Sequence, residues 1–332
     1  MYRKTEMKAA PKRKPMLNAH VGVAGLFKMG ITRPDGTRRT VAPWQNNLIT
    51  DTGMDNFGNS GATTSLPPQY SGYCRVGTGA VPVPAVGDAA LVAHVAEAGA
   101  LQFEERGVGG DGSAGDPYYK FSRRTYRFGI GIAEGILAEV GAGMALGTGD
   151  LTTRSLIKDG NGDPITVTVL FDEILDVTYE FRFYQPVLTD VTGTIVIDSQ
   201  TFDWVIRPAV VGYLSVAGST GPLGRCVGFY VYSGDLGLVT GSPTLQDEGV
   251  GSFPTYLPYV NGNHYNENTL FFDINAHENI GPEGIRALRW DTPSGNWQIS
   301  LINQGTGKGV LHNNTTNFTF KGRITWDRYT PP

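Results

Sequence analysis

Hydrophobic and polar residues alternate most regularly between Pro164 and Tyr184, PITVTVLFDEILDVTYEFRFY. Val177, Tyr179, Phe181 and Phe183 fall on one side of an extended chain, and Thr178, Glu180, Arg182 and Tyr184 on the other. Successive strand side chains point to opposite faces, so this pattern predicts a half-buried strand. An earlier run groups Ile165, Val167, Val169 and Phe171, with Thr166 and Thr168 opposite. Asp172-Glu173 interrupts the alternation without Gly or Pro, which reads as two strands meeting at a corner or one strand with a bulge. No other stretch is as long, as β-branched and as regular. It is expected to be the central strand pair of an antiparallel β domain.

The same period recurs along most of the chain. GLFKMGIT, the turn Pro34-Asp35-Gly36 and RRTVAPW predict a hairpin. Asp51-Thr52-Gly53 is placed to cap a short helix over Met54 and Phe57. Residues 73–79 read as a short strand closed by a glycine turn. Pro82 and Pro84 bar a helix until Gly87, and DAALVAHVAEA then fits either a short helix or an extended connector. Residues 118–132 and ILAEVGAG return to strand, and RSLIKDGNGDPITVTV predicts a hairpin turning over residues 159–164. In the second half, residues 194–197 and TFDWVIRP predict another hairpin, with Phe202, Trp204 and Ile206 on one face. CVGFYVYSG, LFFDI, WQISLIN and NFTFKGRITWDRY add strands, the last grouping Phe318, Phe320, Ile324 and Trp326. Residues 241–268 read as a long loop. The expected fold is mainly β: a basic arm over residues 1–15, then two antiparallel β-sandwich-like domains over 16–188 and 189–332.

Composition sharpens this picture. The chain holds 45 glycines and 11% aromatics but only 17% charged residues, a mixture that suits tight turns and surface buried against partners. Charge is uneven. Arg3, Lys4, Lys8, Lys12, Arg13 and Lys14 against Glu6 give the first fourteen residues +5, so the rest carries −9 of the overall −4. A basic, proline-containing arm without apolar periodicity is ordered by a partner if at all, and its charge suits a negative surface. No recognition helix or interleaved aromatics accompany it, so sequence-specific reading of nucleic acid is not expected. No apolar run approaches the ~20 residues of a membrane-spanning helix. Asn18 and His20 interrupt the segment after the arm, so no secretory signal is expected. Cys74 and Cys226 are read as two free, buried thiols.

Candidate chemistry is sparse. Asp159, Asn161 and Asp163 have calcium-loop spacing, but Leu170 occupies the position of the bidentate glutamate, so a hairpin turn explains them better. Residues 305–309, GTGKG, lack the first glycine and the magnesium-binding hydroxyl of a phosphate loop. No two of the five histidines stand three or four positions apart, as a helical metal pair requires. Glu173 and Asp176 are close enough in sequence to suggest paired carboxylates, and read as ordinary exposed acids of a strand corner. Phe253, Tyr256, Tyr259 and Tyr265 fit either stacking on a host-surface glycan or packing against a neighbouring subunit, where aromatics are enriched. No cofactor, metal or catalytic residue is expected.

Three stretches carry a resemblance: WQNNLITDTGMDNFG, CRVGTGAVPVPAVGDAALVAHVA and RSLIKDGNGDPITVTVLFDEILDVTYEFRFY. Their motifs and order, spanning Trp44 to Tyr184, resemble a group of bacteriophage virion proteins placed among tail, baseplate and tail-fibre components. Nothing beyond about Asp190 takes part. The resemblance implies a non-enzymatic building block of the virion, made in the bacterial cytoplasm, whose partners are its own copies and other virion proteins. A receptor-binding module recognising a glycan, or a head decoration or collar protein, is the alternative expectation.

Overall fold

The computed structural model describes residues 16–59, 71–99, 101–113, 115–144, 147, 149–185, 190–209, 223–239, 241, 243, 248–250, 252–256, 260–272, 280–311 and 318–329. The basic arm lies outside them. The described chain is mainly β, with one helix. In order it forms β1 (Leu17–Thr32), β2 (Arg38–Ile49), α1 (Asp51–Asn59), β3 (Tyr73–Gly77), β4 (His94–Ala98), β5 (Leu101–Gly109), β6 (Tyr119–Phe128), β7 (Gly135–Leu137), β8 (Glu139–Gly143), β9 (Leu151–Leu156), β10 (Val167–Val169) and β11 (Ile174–Tyr184). There follow β12 (Val191–Ile197), β13 (Gln200–Pro208), β14 (Gly228–Tyr232), β15 (Glu248–Val250), β16 (Ser252–Tyr256), β17 (Tyr265–Phe272), β18 (Ala287–Thr292), β19 (Gly295–Asn303) and β20 (Phe318–Arg328).

The hub is β1. One edge pairs antiparallel with β11 from Gly22 to Thr32. The other pairs parallel with β20 over Leu17 to Val23, then antiparallel with β2 from Gly25 onward. On the β11 side the sheet continues to β6 and β5. From β20 it continues to β17 and β16, and from β2 through β9, β8 and β3 to β4, which curls it. The inner face of β1 is Leu17, Ala19, Val21, Val23, Phe27, Met29 and Ile31, all at most 5% exposed. Period two is intact there, but small residues make it quiet in the sequence.

The corner in the most regular stretch is real. β10 pairs with β7 in a two-stranded sheet, and β11 enters the large one. Val177, Tyr179, Phe181 and Phe183 are buried as expected. Phe27 stacks on Tyr179 at 5.8 Å, and Phe57 of α1 meets Phe181 and Phe183 edge-on at 5.9 Å. The opposite side is not open, however. Glu180 is 1% exposed, because Arg123 and Arg182 lie across it and donate to its carboxylate at 2.7 and 2.6 Å. Half-burial is therefore corrected to burial on both sides, the second under arginine side chains whose stems cover apolar surface.

Local chemistry fixes the helix and turns. Thr50, rather than Asp51, caps α1: its hydroxyl accepts from the Gly53 N–H at 2.9 Å. Asp51 instead pairs with Arg328 at 2.5 Å, tying the helix to the last strand. The alternatives for residues 88–98 resolve as extended, with β4 pairing on β3. Residues 241–268 are corrected from loop to strand over β15, β16 and the start of β17, where Ser252 and Tyr256 pair with Phe271 and Asn268.

The second sheet is antiparallel in the order β12-β13-β19-β18-β14-β15. Its strands come from residues 191–303, yet β16, β17 and β20 from the same half join the large sheet. The two sheets meet at β20. Trp290 packs edge-on against Phe320 at 5.9 Å, and Phe229 stacks on Phe320 at 6.0 Å. Gly322 leaves room for the Trp290 ring, since a Cβ there would come within 2.6 Å of it. Gly322→Val should destabilise the chain by about 1–3 kcal/mol through overpacking. Urea unfolding of the variant, read by tryptophan fluorescence, checks this; an unchanged midpoint would show that the two sheets do not depend on this contact.

Candidate assembly surface

Two groups of exposed apolar side chains each rest on a buried carboxylate. The first lies where the chain leaves β6 of the large sheet for the two-stranded β7–β10 pair. Ile130 and Ile132, in the turn after β6, lie beside Ile136 of β7 and Leu170 and Phe171 after β10, all between 53% and 67% exposed. Thr168 faces Ile136 across the β7–β10 pair, and Gly131 approaches the Phe171 carbonyl. Isolated exposed apolar residues are ordinary, and five on neighbouring turns and strands stand out from that scatter.

Glu173 builds this tip. It is 3% exposed, accepts from the Leu170 N–H at 3.0 Å and returns its own N–H to the Leu170 carbonyl at 3.1 Å. Arg33, in the β1–β2 turn, approaches it at 3.6 Å. The expectation of an exposed acid at the corner is thus corrected: Glu173 turns inward to hold the backbone that displays Leu170 and Phe171. Asp176 is taken by Arg127 at 2.7 and 2.8 Å and by Arg38 at 2.9 Å. Each carboxylate has its own cationic partners.

The second place is the segment 78–93 between β3 and β4, where Val81, Val83, Val86 and Val92 are 43–75% exposed. Beneath it Glu139 and Arg154 are both fully buried and joined at 2.9 Å. Glu139 also accepts from the N–H groups of Gly79, Val92 and Ala93 at 2.8–3.2 Å. Arg154 donates to Asp88 at 2.6 Å and to the Pro82 carbonyl at 3.0 Å. Two buried charges thus satisfy the backbone polar groups of an irregular segment that no strand partner could reach.

Between the tip and the middle of the sheet runs an open groove of about 300 Å³, lined by Lys28, Arg38, Arg39, Thr40, Thr125, Thr178 and Asp176. Trp44, 40% exposed, stands nearby with Lys28 5.0 Å and Arg123 5.7 Å from its ring. Arg38 is held by Asp176, so the groove keeps a net positive lining from Lys28 and Arg39.

The residues singled out in the sequence do not converge. Arg3, Lys4, Lys8, Lys12, Arg13, Lys14 and Tyr259 lie outside the described residues. Phe253 and Tyr256 fall on β16, and Tyr265 opens β17 with Arg323 4.2 Å over its ring. Asp159 accepts from the N–H groups of Asn161 and Asp163 at 2.8 and 3.1 Å, as a turn residue does. Asn303 likewise accepts from Gly305 and Thr306 at 2.8 and 2.9 Å. Cys74 and Cys226 are free and buried, and burial pushes both thiols well up. Among the described residues no cluster of three His, Cys, Asp or Glu gathers to hold a metal, and no helix is long and apolar enough to cross a membrane. No family model, curated protein or solved structure matches the chain.

Removing one member of a buried pair leaves the other charge unsatisfied, so Glu139→Gln should cost about 3 kcal/mol and open residues 78–93 to protease. A limited-proteolysis map that matches the wild type would contradict this role. Burial pushes Asp88 up, but the Ala85 N–H and Arg154 pull harder and hold it below the usual carboxylate range. A carboxylate held down in the folded chain contributes stability above its unfolded pKa, and the contribution fades as pH falls through the folded value. Protection of the segment should therefore weaken below about pH 4, and Asp88→Asn should flatten that dependence.

Proposed function

We propose that this chain is a non-enzymatic structural component of a tailed-phage virion, placed at the tail, baseplate or fibre attachment and built in from copies of itself and other virion proteins. The observation that carries the proposal is the apolar tip of Ile130, Ile132, Ile136, Leu170 and Phe171 on a turn fixed from below by Glu173. A surface held in one shape before contact loses little entropy on binding. A second support is β12, an edge strand without a charged residue, whose Val191 and Val196 are exposed and whose outer backbone groups no described strand pairs. Free-standing proteins blunt such edges. The basic arm at residues 1–15 supplies charge that suits the acidic remainder of a neighbouring copy.

The glycan-binding alternative has less support. Of its four aromatics only Tyr265 has a described side chain, and Arg323 covers that ring. A head decoration or collar position is separated from a tail position by imaging particles with this chain labelled.

Ile132→Asp with Phe171→Asp should leave the circular dichroism of the purified chain unchanged and sharply reduce its incorporation into particles. Burying a Phe side chain contributes about 1.5–3 kcal/mol, so one such loss weakens association about ten- to hundredfold. Incorporation at the wild-type level would remove the tip from the assembly surface. Deleting residues 1–15 should likewise reduce incorporation, and turnover of cell-wall or capsule polymer by the purified chain would defeat the proposal as a whole.

A further inference from the structure

The geometry points to a covalent amide bond that the chain forms within itself, joining Nζ of Lys120 to Cγ of Asn296 with release of ammonia. Lys120 lies on β6 of the large sheet and Asn296 on β19 of the second, 176 positions later, with Nζ 3.1 Å from Oδ1. That oxygen is one bond from the carbon to be attacked. Asn296 sits directly across the β18–β19 hairpin from Asp291. Directly opposed residues of an antiparallel pair have Cβ atoms about 5 Å apart on one face, so amide and carboxyl are neighbours. The Asp291 charge also acts on Lys120.

All three groups are buried, Lys120 at 2%, Asn296 at 3% and Asp291 at 4% exposure. An amine and a carboxyl placed this deep are held towards their neutral forms. Burial pushes the Lys120 ammonium down to about 8, so neutral amine exists at physiological pH. Burial pushes Asp291 up, although the Arg289 guanidinium opposes it. One Asp291 oxygen accepts from Arg289 at 3.2 Å, while Oδ1 has no hydrogen-bond partner among the described residues and stands open to carry a proton.

The step balances without any cofactor. The neutral Lys120 amine adds to Cγ of Asn296, forming the N–C bond, while the carbonyl electron pair moves onto Oδ1. Asp291, as the neutral acid, donates its proton to that oxygen, and its carboxylate then takes the surplus proton from Nζ. Delivery of that proton to Nδ2 makes the nitrogen a leaving group, the carbonyl re-forms as Oδ1 loses its proton back to Asp291, and ammonia departs. One amide replaces another, and nothing is oxidised or reduced. A desolvated lysine is a competent nucleophile, a nearby carboxyl can move protons both ways, and fixed geometry removes much of the entropic barrier. The bond would staple the two sheets to each other whatever the protein's partners are.

The test is the intact mass of the purified, folded full-length chain. It should be lower than the sequence mass by one ammonia, and trypsin should yield a branched peptide joining residues 107–123 to residues 290–308, uncut at Lys120. Lys120→Arg and Asn296→Ala should keep their full sequence mass. Asp291→Ala should do so while retaining the wild-type circular dichroism. A wild-type chain at full mass after prolonged incubation overturns the proposal, as does an ammonia loss located in an unbranched peptide. Should the variants fail to fold, the wild-type mass and peptide map decide alone. A linked Asp291→Ala chain would overturn the role given to Asp291.

Discussion

A strand in the middle of a sheet must satisfy hydrogen-bonding groups on both edges, and β1 does so with three partners at once. Its length is what allows this. Sixteen residues give one edge room for β20 and then β2, while β11 occupies the other. Because the side-chain period is two, shifting any partner by one residue would turn Phe27, Met29 or Val177 out of the core. The register of β1 therefore sets the positions of β11 and of the last strand together. β20 then carries Phe320 and Gly322 to the place where Trp290 lands. Residues 318–328 complete a sheet begun at residue 17, so the second half of the chain is threaded back into the first.

The usual placement of polar and apolar groups is inverted at several buried acids, and at two of them the inversion fixes an irregular segment. Glu139 lies under residues 78–93, Glu173 under the tip, and Glu180 under two arginines. A buried carboxylate is costly unless fully bonded. Once bonded, as Glu139 is beneath residues 78–93 and Glu173 beneath the tip, it holds an irregular segment in one conformation. Valines, isoleucines and a phenylalanine can then stand outside without collapsing inward, because the backbone beneath them has no alternative. Low overall charge and exposed apolar groups would make a floppy chain aggregate. On a braced scaffold they instead present a defined surface.

Much of this fold was legible in the sequence. Strand type, the β1–β2 hairpin, the corner before β11 and the buried face of β20 follow from period two and turn residues. What failed to show has physical reasons. β1 reads as a hairpin strand and not as the hub, because its pairings with β11 and β20 join segments far apart in the sequence. Strands β15 and β16 read as loop because Gly, Pro and Ser interrupt the stretch, and pairing with β14 and β17 overrides those breakers. The burial of Glu173 and Glu180 left no local signal at all. An acid reads as exposed until the arginine that covers it is known, and Arg123 is 57 positions from Glu180. The tip was invisible for a related reason: Ile130, Ile132 and Phe171 look like core residues of neighbouring strands, and only the turns reverse them outward.

The contact between the two sheets combines two kinds of interaction that are not interchangeable. Trp290 over Gly322 and Phe229 on Phe320 are apolar contacts, and the attraction behind them has no direction. Alone they would permit one sheet to slide over the other at modest cost. The polar groups beside them remove that freedom. Gln185 donates to the Asn296 carbonyl at 2.7 Å, Cys226 donates its N–H to Asn268 at 2.9 Å, and Lys120 reaches Asn296. Each links a strand of one sheet to the other sheet or to a residue flanking it, in a region where a lost partner is not replaced by water. The apolar pair thus supplies adhesion and the polar set supplies register. Both are needed to fix the second sheet against β20 and β6, since adhesion without register would leave the two sheets free to slip past each other.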